Sequence, residues 1–151
     1  DVGEFGKLRL AAPMPRRPLF FNVADAESMA VFALTHVGEI GVDVEQPAPF
    51  EDILRVAKRW FSTREQQDLA TLPADQQCVG FYTAWTRKEA IVKALGRGIG
   101  YPLERFSVEL LPDRPVRLLE AEDECVQTLQ LTDLPLPSPY IGSCAVQPIS
   151  R

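Results

Sequence analysis

Histidine is almost missing from this chain: His36 is the only one in 151 residues. A single histidine argues against a serine or cysteine triad and against a structural zinc site, which draws its ligands from clustered Cys and His. The cysteines are three, Cys78, Cys125 and Cys144, with no C-x-x-C pair. An odd count at wide spacing argues against a disulfide scaffold and for a reducing compartment, so the expected location is cytoplasmic. No apolar run approaches the roughly 20 residues that a membrane helix requires. The opening Asp1-Val2-Gly3-Glu4-Phe5 does not resemble a signal peptide. It also lacks a Met, and the expectation is a segment of a longer chain. The net charge of -5 argues against nucleic acid as a partner. Low-complexity tracts and short repeats are absent.

What is present is a chain sized for one domain, or for two small halves sharing a core. Its hydrophobic content of 46% supports a core and is too low for a membrane protein. Basic residues gather in two groups, Lys7, Arg9, Arg16 and Arg17, then Arg55, Lys58, Arg59 and Arg64. Such groups are usually solvated surface; on an acidic protein they also leave room for an anionic ligand or an acidic partner. Pro13, Pro15 and Pro18 make 11–18 an irregular connector. Strands are expected at 19–23, at 29–35 as a continuously apolar buried strand, and at 40–45, the last two joined as a hairpin through a turn holding His36. Glu51 to Trp60 has helical spacing, with an acidic start and a basic end. Ser62-Thr63-Arg64-Glu65 has the form of a capping box and should open a second helix, ended by Pro73. A long helix is expected from Asp75 to Leu95, closed by Gly96 in a left-handed conformation. Short strands at 105–111, 116–120, 125–131 and 140–147 complete the pattern. Strands, then helices, then strands indicate an α+β fold: a largely antiparallel sheet packed with a long helix.

Two segments carry chemistry. In Gly41-Val42-Asp43-Val44-Glu45, read as a strand, Asp43 and Glu45 share a face. In Trp85-Thr86-Arg87-Lys88-Glu89-Ala90-Ile91-Val92-Lys93, read as a helix, Glu89 and Lys93 share a face. Bringing those faces together sets three carboxylates beside one ammonium, a site for a hard divalent cation holding a phosphate. The plainer alternatives are an outer edge-strand face for Asp43 and Glu45, and a surface i,i+4 pair for Glu89 and Lys93. For Glu65 the plainer role is a helix cap. Trp60 and Trp85 read as core.

The ordered set Phe5-Gly6-Lys7, Phe21-Asn22, Ile40 to Glu45, Trp60-Phe61-Ser62-x-x-Glu65, Trp85-Thr86-x-Lys88-Glu89-Ala90-x-x-Lys93, Gly96-x-Gly98-Ile99 and Phe106-Ser107-Val108 resembles the surfactin-synthetase-activating type of 4′-phosphopantetheinyl transferase. The resemblance implies the fold of that family and Mg²⁺-dependent transfer of the phosphopantetheine arm of coenzyme A to a serine of an acyl or peptidyl carrier protein, with release of 3′,5′-ADP. It implies Asp43, Glu45 and Glu89 as Mg²⁺ ligands and Lys7, Lys88 and Lys93 as coenzyme A contacts. Glu65, Glu89 and Lys93 become the catalytic set, Glu65 as general base or as orienter of the serine.

Two features depart from the family. Its usual Ser-His-Ser reads Ala24-Asp25-Ala26 here, which replaces a phosphate donor by an acid. The family is also built from two similar halves with the site between them. Residues 1–38 resemble the end of the first half and 39–151 the whole second half. The rest would come from an upstream chain, as in a domain of a carrier-dependent megasynthase, or from another subunit. A degenerate domain that docks a carrier without catalysis is the second reading, with Arg55, Lys58 and Arg59 meeting an acidic carrier helix. An unrelated Mg²⁺ phosphohydrolase is the third.

Overall fold

The computed structural model describes residues 7, 8, 10, 17–98 and 100–149. In chain order the described residues form β1 (Phe20–Ala26), β2 (Met29–Thr35), β3 (Gly38–Glu45), α1 (Ile53–Trp60), α2 (Thr63–Thr71), α3 (Ala74–Leu95), β4 (Phe106–Val108), β5 (Leu118–Ala121), α4 (Glu124–Gln127), β6 (Gln130–Asp133) and β7 (Ile141–Pro148). Every described ladder is antiparallel: β1 with β2, β7 between β3 and β6, and β4 with β5. This is the expected α+β class.

Local chemistry sets the helix boundaries. The Ser62 side chain accepts from Glu65 N, and the Glu65 side chain accepts from Ser62 N, so the capping box forms as expected. Pro73 ends α2 and stands as the N-cap of α3. Gly96 closes α3 at φ 65°, where a side chain would be strained. α1 starts two residues later than expected. Glu51 and Asp52 precede its first turn, so the acidic start is lost while Lys58 and Arg59 remain in the last turn.

Three strand expectations are corrected. β2 and β3 do not form the hairpin; β2 folds back on β1, and β3 pairs with the distant β7. β2 is not buried: Phe32 is 68% and Leu34 62% exposed, while Met29, Val31 and Ala33 face inward. Segment 125–131 divides into the short helix α4 and the start of β6, because Asp123 caps the amide of Cys125 and turns the chain. The strands at 105–111 and 116–120 shrink to β4 and β5. The 11–18 connector lies mostly outside the described residues.

The core forms where α3 lies across β3 and β7. Phe61, Leu69, Ile91 and Phe106 are essentially fully buried there; burial of each contributes about 1.5–3 kcal/mol. Phe61 and Trp85 both stack on Phe81, and Trp60 meets Trp85 edge-on at 6.1 Å, so both tryptophans pack on the core. A smaller cluster, Ala24, Val42 and Val44, fixes the β1–β2 hairpin on the other face of β3.

Candidate active site

A glycine decides how closely the two acidic segments approach. A Cβ on Gly41 would stand 2.1 Å from Ala90 O and 2.2 Å from Ala94 N. Only glycine lets α3 lie this close to β3. Gly41, Asp43 and Glu45 alternate onto the α3 side, while Val42 and Val44 face the hairpin cluster. The face of α3 that meets them carries Trp85, Glu89 and Lys93, spaced four apart. Asn22 on β1 supports the same strand by accepting from Val42 N at 2.9 Å.

The expected residues therefore meet. Lys93 Nζ lies 2.6 Å from Asp43 Oδ1, and the field at Asp43 includes Lys93, Glu89 and Glu45. Burial pushes the Asp43 carboxyl up to about 7, against the pull of Lys93 and with help from the two glutamates. Burial also raises Glu45, opposed by a hydrogen bond from the Trp85 indole N–H and by Lys93. Glu89 is raised by burial, opposed by Lys93 and assisted by Glu45. Asp43 Oδ2 is buried and accepts no hydrogen bond. An unsatisfied buried carboxylate oxygen is costly, and oxygen donors of this kind suit a hard cation. Among the described residues, no three His, Cys, Asp or Glu side chains stand as a preformed metal cage. The oxygen donors of this site fit Mg²⁺ by their chemistry.

Glu65 and Lys88 occupy a different place. Their side chains are fully buried and paired at 2.8 Å. Glu65 also accepts from Ser62 N and Val108 N, each at 2.9 Å. Lys88 also donates to Leu103 O and Phe106 O, and lies 4.1 Å from the Phe106 ring centroid. Burial pushes Glu65 up and Lys88 down, and each partner opposes the other's shift. Lys7 lies at the far end of α3, donating to Ala94 O at 2.8 Å and pairing with Glu39 at 2.5 Å. Phe5 and Gly6 of its motif, and Ile99, lie outside the described residues. Asp25 is exposed on the face of β1 opposite Asn22 and Ala24.

Residues 39–142 match the model of the 4'-phosphopantetheinyl transferase superfamily. The chain belongs to the 4'-phosphopantetheinyl transferase superfamily. Among curated superfamily members, the 4'-phosphopantetheinyl transferase HetI of a Nostoc species is 36% identical over 80% of this chain and 51% of its own length. The 4'-phosphopantetheinyl transferase Sfp of Bacillus subtilis is 35% identical over 85% of this chain and 55% of its own. The chain thus spans about half the length of the curated relatives it matches. A holo-(acyl-carrier-protein) synthase structure from Bacillus anthracis, solved in complex with CoA (3',5'-ADP), superposes with a TM-score of 0.60 at 20% identity, covering 76% of this chain and 98% of that one. It shows the same fold. Among the described residues no helix is long and apolar enough to cross a membrane.

Sequence reasoning missed one participant. Trp85 packs on the core as read, and its indole also acts on Glu45, opposing the rise of that carboxyl. The signal was its place four residues before Glu89, on the same helix face.

Proposed function

We propose that this chain carries the catalytic half of a 4′-phosphopantetheinyl transferase. Its substrates would be coenzyme A and a serine of an acyl or peptidyl carrier protein, and its by-product 3′,5′-ADP. The observation that carries the reading is the gathering of Glu45, Glu89 and Lys93 near Asp43, which keeps a buried carboxylate oxygen without a partner, in a chain of this superfamily. Asp43, Glu45 and Glu89 would hold Mg²⁺. When bound, the ion neutralises charge on the diphosphate and improves the leaving group.

The remaining work falls to side chains. Lys93, 31% exposed, donates to a coenzyme A phosphate oxygen. Lys7 holds the C-terminal end of α3 and serves the same ligand through that end of the helix. Glu89 takes the serine proton. The three donors on Glu65, Lys88 among them, engage both of its oxygens in a dry core. We therefore give Glu65 and Lys88 the task of fixing the α3 frame that carries Glu89, in place of direct contact with substrate. The carrier docks on α1, where Leu54 is 38% exposed beside Arg55, Lys58 and Arg59. That helix ends in Trp60, packed on Trp85, and so delivers the serine beside Glu45 and Glu89. A further half completes the unit, in cis or from another subunit. The three free cysteines fit a cytoplasmic setting.

The test is mass spectrometry of an apo carrier incubated with the chain, coenzyme A and Mg²⁺. A phosphopantetheine adduct that disappears in Asp43→Ala supports the reading. With the further half supplied, upstream of the chain or as a second subunit, a carrier left unmodified where a full-length transferase modifies it removes the reading. The second reading, carrier docking without catalysis, draws on Ala24-Asp25-Ala26 and the half length. Calorimetry separates the two, since docking alone predicts carrier binding with no coenzyme A binding.

A further inference from the structure

Asp43 stands in a row of three side chains that crosses the sheet. The register sets Asp43 of β3 opposite Ser143 of β7, and Ser143 opposite Asp133 of β6. Residues directly opposite in antiparallel strands carry their side chains on one face. Here it is the face that α3 covers: Lys93 meets Asp43, Thr86 meets Ser143 and Arg87 meets Asp133. A hydroxyl thus lies between two carboxylates, and it has one proton to give. The proton goes to Asp133: Ser143 Oγ donates to Asp133 Oδ1 at 3.0 Å. Asp43 Oδ2, buried in the same row, accepts nothing.

An unsatisfied buried carboxylate oxygen is costly, and an ionised acceptor attracts a hydroxyl strongly. Something must therefore turn Ser143 toward the other acid, and α3 supplies it. Arg87 donates from Nε and Nη2 to the two oxygens of Asp133 and from Nη1 to Glu109 O, and is itself only 5% exposed. The guanidinium fork fixes the Asp133 carboxylate in place. Thr86 Oγ1, on the same helix, stands 3.2 Å from the Ser143 hydroxyl. We propose that Asp133, braced by Arg87, is a positioning residue for the cation site: it draws the Ser143 proton away from Asp43 and keeps Asp43 Oδ2 open for the ion. A hydroxyl turned to Asp43 would satisfy that oxygen and set a positive hydrogen where the ion belongs. Two strand spacings, roughly 10 Å, separate Asp133 from Asp43, so it acts through Ser143 and not as a ligand. The inference rests on the reading that Asp43 holds Mg²⁺.

The test is calorimetry of the chain with Mg²⁺ alone, at a fixed pH where Asp43 is ionised, with a urea titration of each variant. Asp133→Ala frees the Ser143 proton and should weaken Mg²⁺ binding about 10-fold, the usual scale for losing a group that orients a metal ligand. Asp133→Ala/Ser143→Ala removes the hydroxyl as well and should return the affinity to within about twofold of the natural chain. Ser143→Ala alone should bind as the natural chain does. Recovery is the readout that a merely structural role would not give. Asp133→Ala leaves Arg87 without its counter-charge and Ser143→Ala does not replace it, so stability in urea should stay low while the affinity returns. If Asp133→Ala fails to fold, Arg87→Met/Asp133→Leu, with and without Ser143→Ala, takes its place, because both charges then leave together. A weakened affinity that Ser143→Ala does not recover overturns the inference, as does an affinity indifferent to Asp133. A loss in Ser143→Ala alone also overturns it, by making the hydroxyl part of the ion's own surroundings. Failure of the underlying metal reading looks different: the natural chain and Asp43→Ala would be alike in binding no Mg²⁺, which removes both.

Discussion

Two groups of charged side chains lie beside α3, and they are built in opposite ways. Glu65 and Lys88 are fully buried, and each meets several partners: Ser62 N and Val108 N on the acid, Leu103 O and Phe106 O on the base. Asp43, Glu45 and Glu89 are an excess of like charge against one Lys93, and Asp43 keeps an oxygen without a partner. A buried charge that is completely satisfied adds rigidity and offers nothing to a ligand. A group of carboxylates held together against their own repulsion stores an affinity for positive charge. One residue, Lys88 to Glu89, separates the two along the helix, so the rigid group sets the angle at which the reactive one is presented.

The comparison breaks most sharply at Lys88. Lys88→Met leaves Glu65 buried without its counter-charge and should cost about 3–5 kcal/mol in a urea titration. Glu65→Leu/Lys88→Met should recover a large part of that loss, because both charges go together. If Lys88→Met melts like the natural chain, the buried pair does not brace α3. Asp43→Asn should do the reverse. Its stability should change by about 1 kcal/mol or less at pH 4, where the folded Asp43 carboxyl is itself neutral. Carrier modification should fall about 1,000-fold, equal to about 4 kcal/mol of barrier. Modification at the natural rate would remove Asp43 from the site.

Titration sharpens the same contrast. The folded Asp43 carboxyl holds its proton up to about 7, against 3.8 for the unfolded reference. Between those values the folded state binds more protons than the unfolded one, so stability falls as pH rises through this window. The expected loss is about 1–4 kcal/mol. Asp43→Asn should flatten the slope. Mg²⁺ should flatten it too, by favouring the ionised carboxylates. A natural chain with no slope between pH 4 and 7 contradicts the burial of this acid.

How far the sequence disclosed these regions depended on the range of the signal. The capping box at Ser62 and Glu65 and the glycine stop at Gly96 are local and formed as read. The acidic site was legible because Asp43 with Glu45 and Glu89 with Lys93 obey the strand and helix periods, and Gly41 marks where the two backbones touch. Lys88 was misleading, since helical spacing alone does not reveal which face of α3 meets Phe106 and Glu65. Pairing of β3 with β7 joins residues about a hundred positions apart, beyond any local pattern. The apolar run at 29–34 suggested a strand covered on both faces, but among the described residues only the Met29, Val31 and Ala33 face is covered, because β2 packs on β3 from one side. At 125–131 the β propensity of Cys125 and Val126 lost to the Asp123 cap, a competition of small local terms.

Trp85 tests whether the acidic group is itself braced. Trp85→Phe keeps the stacking on Phe81 and removes the N–H that points at Glu45. Mg²⁺ affinity measured by calorimetry should weaken about 10-fold, the usual effect of losing a group that orients a metal ligand. Unchanged affinity would show that Glu45 is fixed by burial alone.

The smallest expected effect lies outside both groups, on α1. Arg55 and Lys58 are exposed, and Arg55 pairs only with the equally exposed Asp52 at 3.1 Å. Charges in such positions steer an approaching partner more than they hold it. Arg55→Glu/Lys58→Glu should therefore slow association with an acidic carrier about 3–10-fold in stopped-flow measurements at low salt, with little change in dissociation. The difference should fade as salt shortens the screening length to about 8 Å at physiological ionic strength. An effect confined to dissociation would place these side chains within the contact itself, and their satisfied or unsatisfied state would then matter as it does on α3. No effect on either rate would move the carrier to another face, and the role proposed for the carboxylates of β3 and α3 does not depend on which face that is.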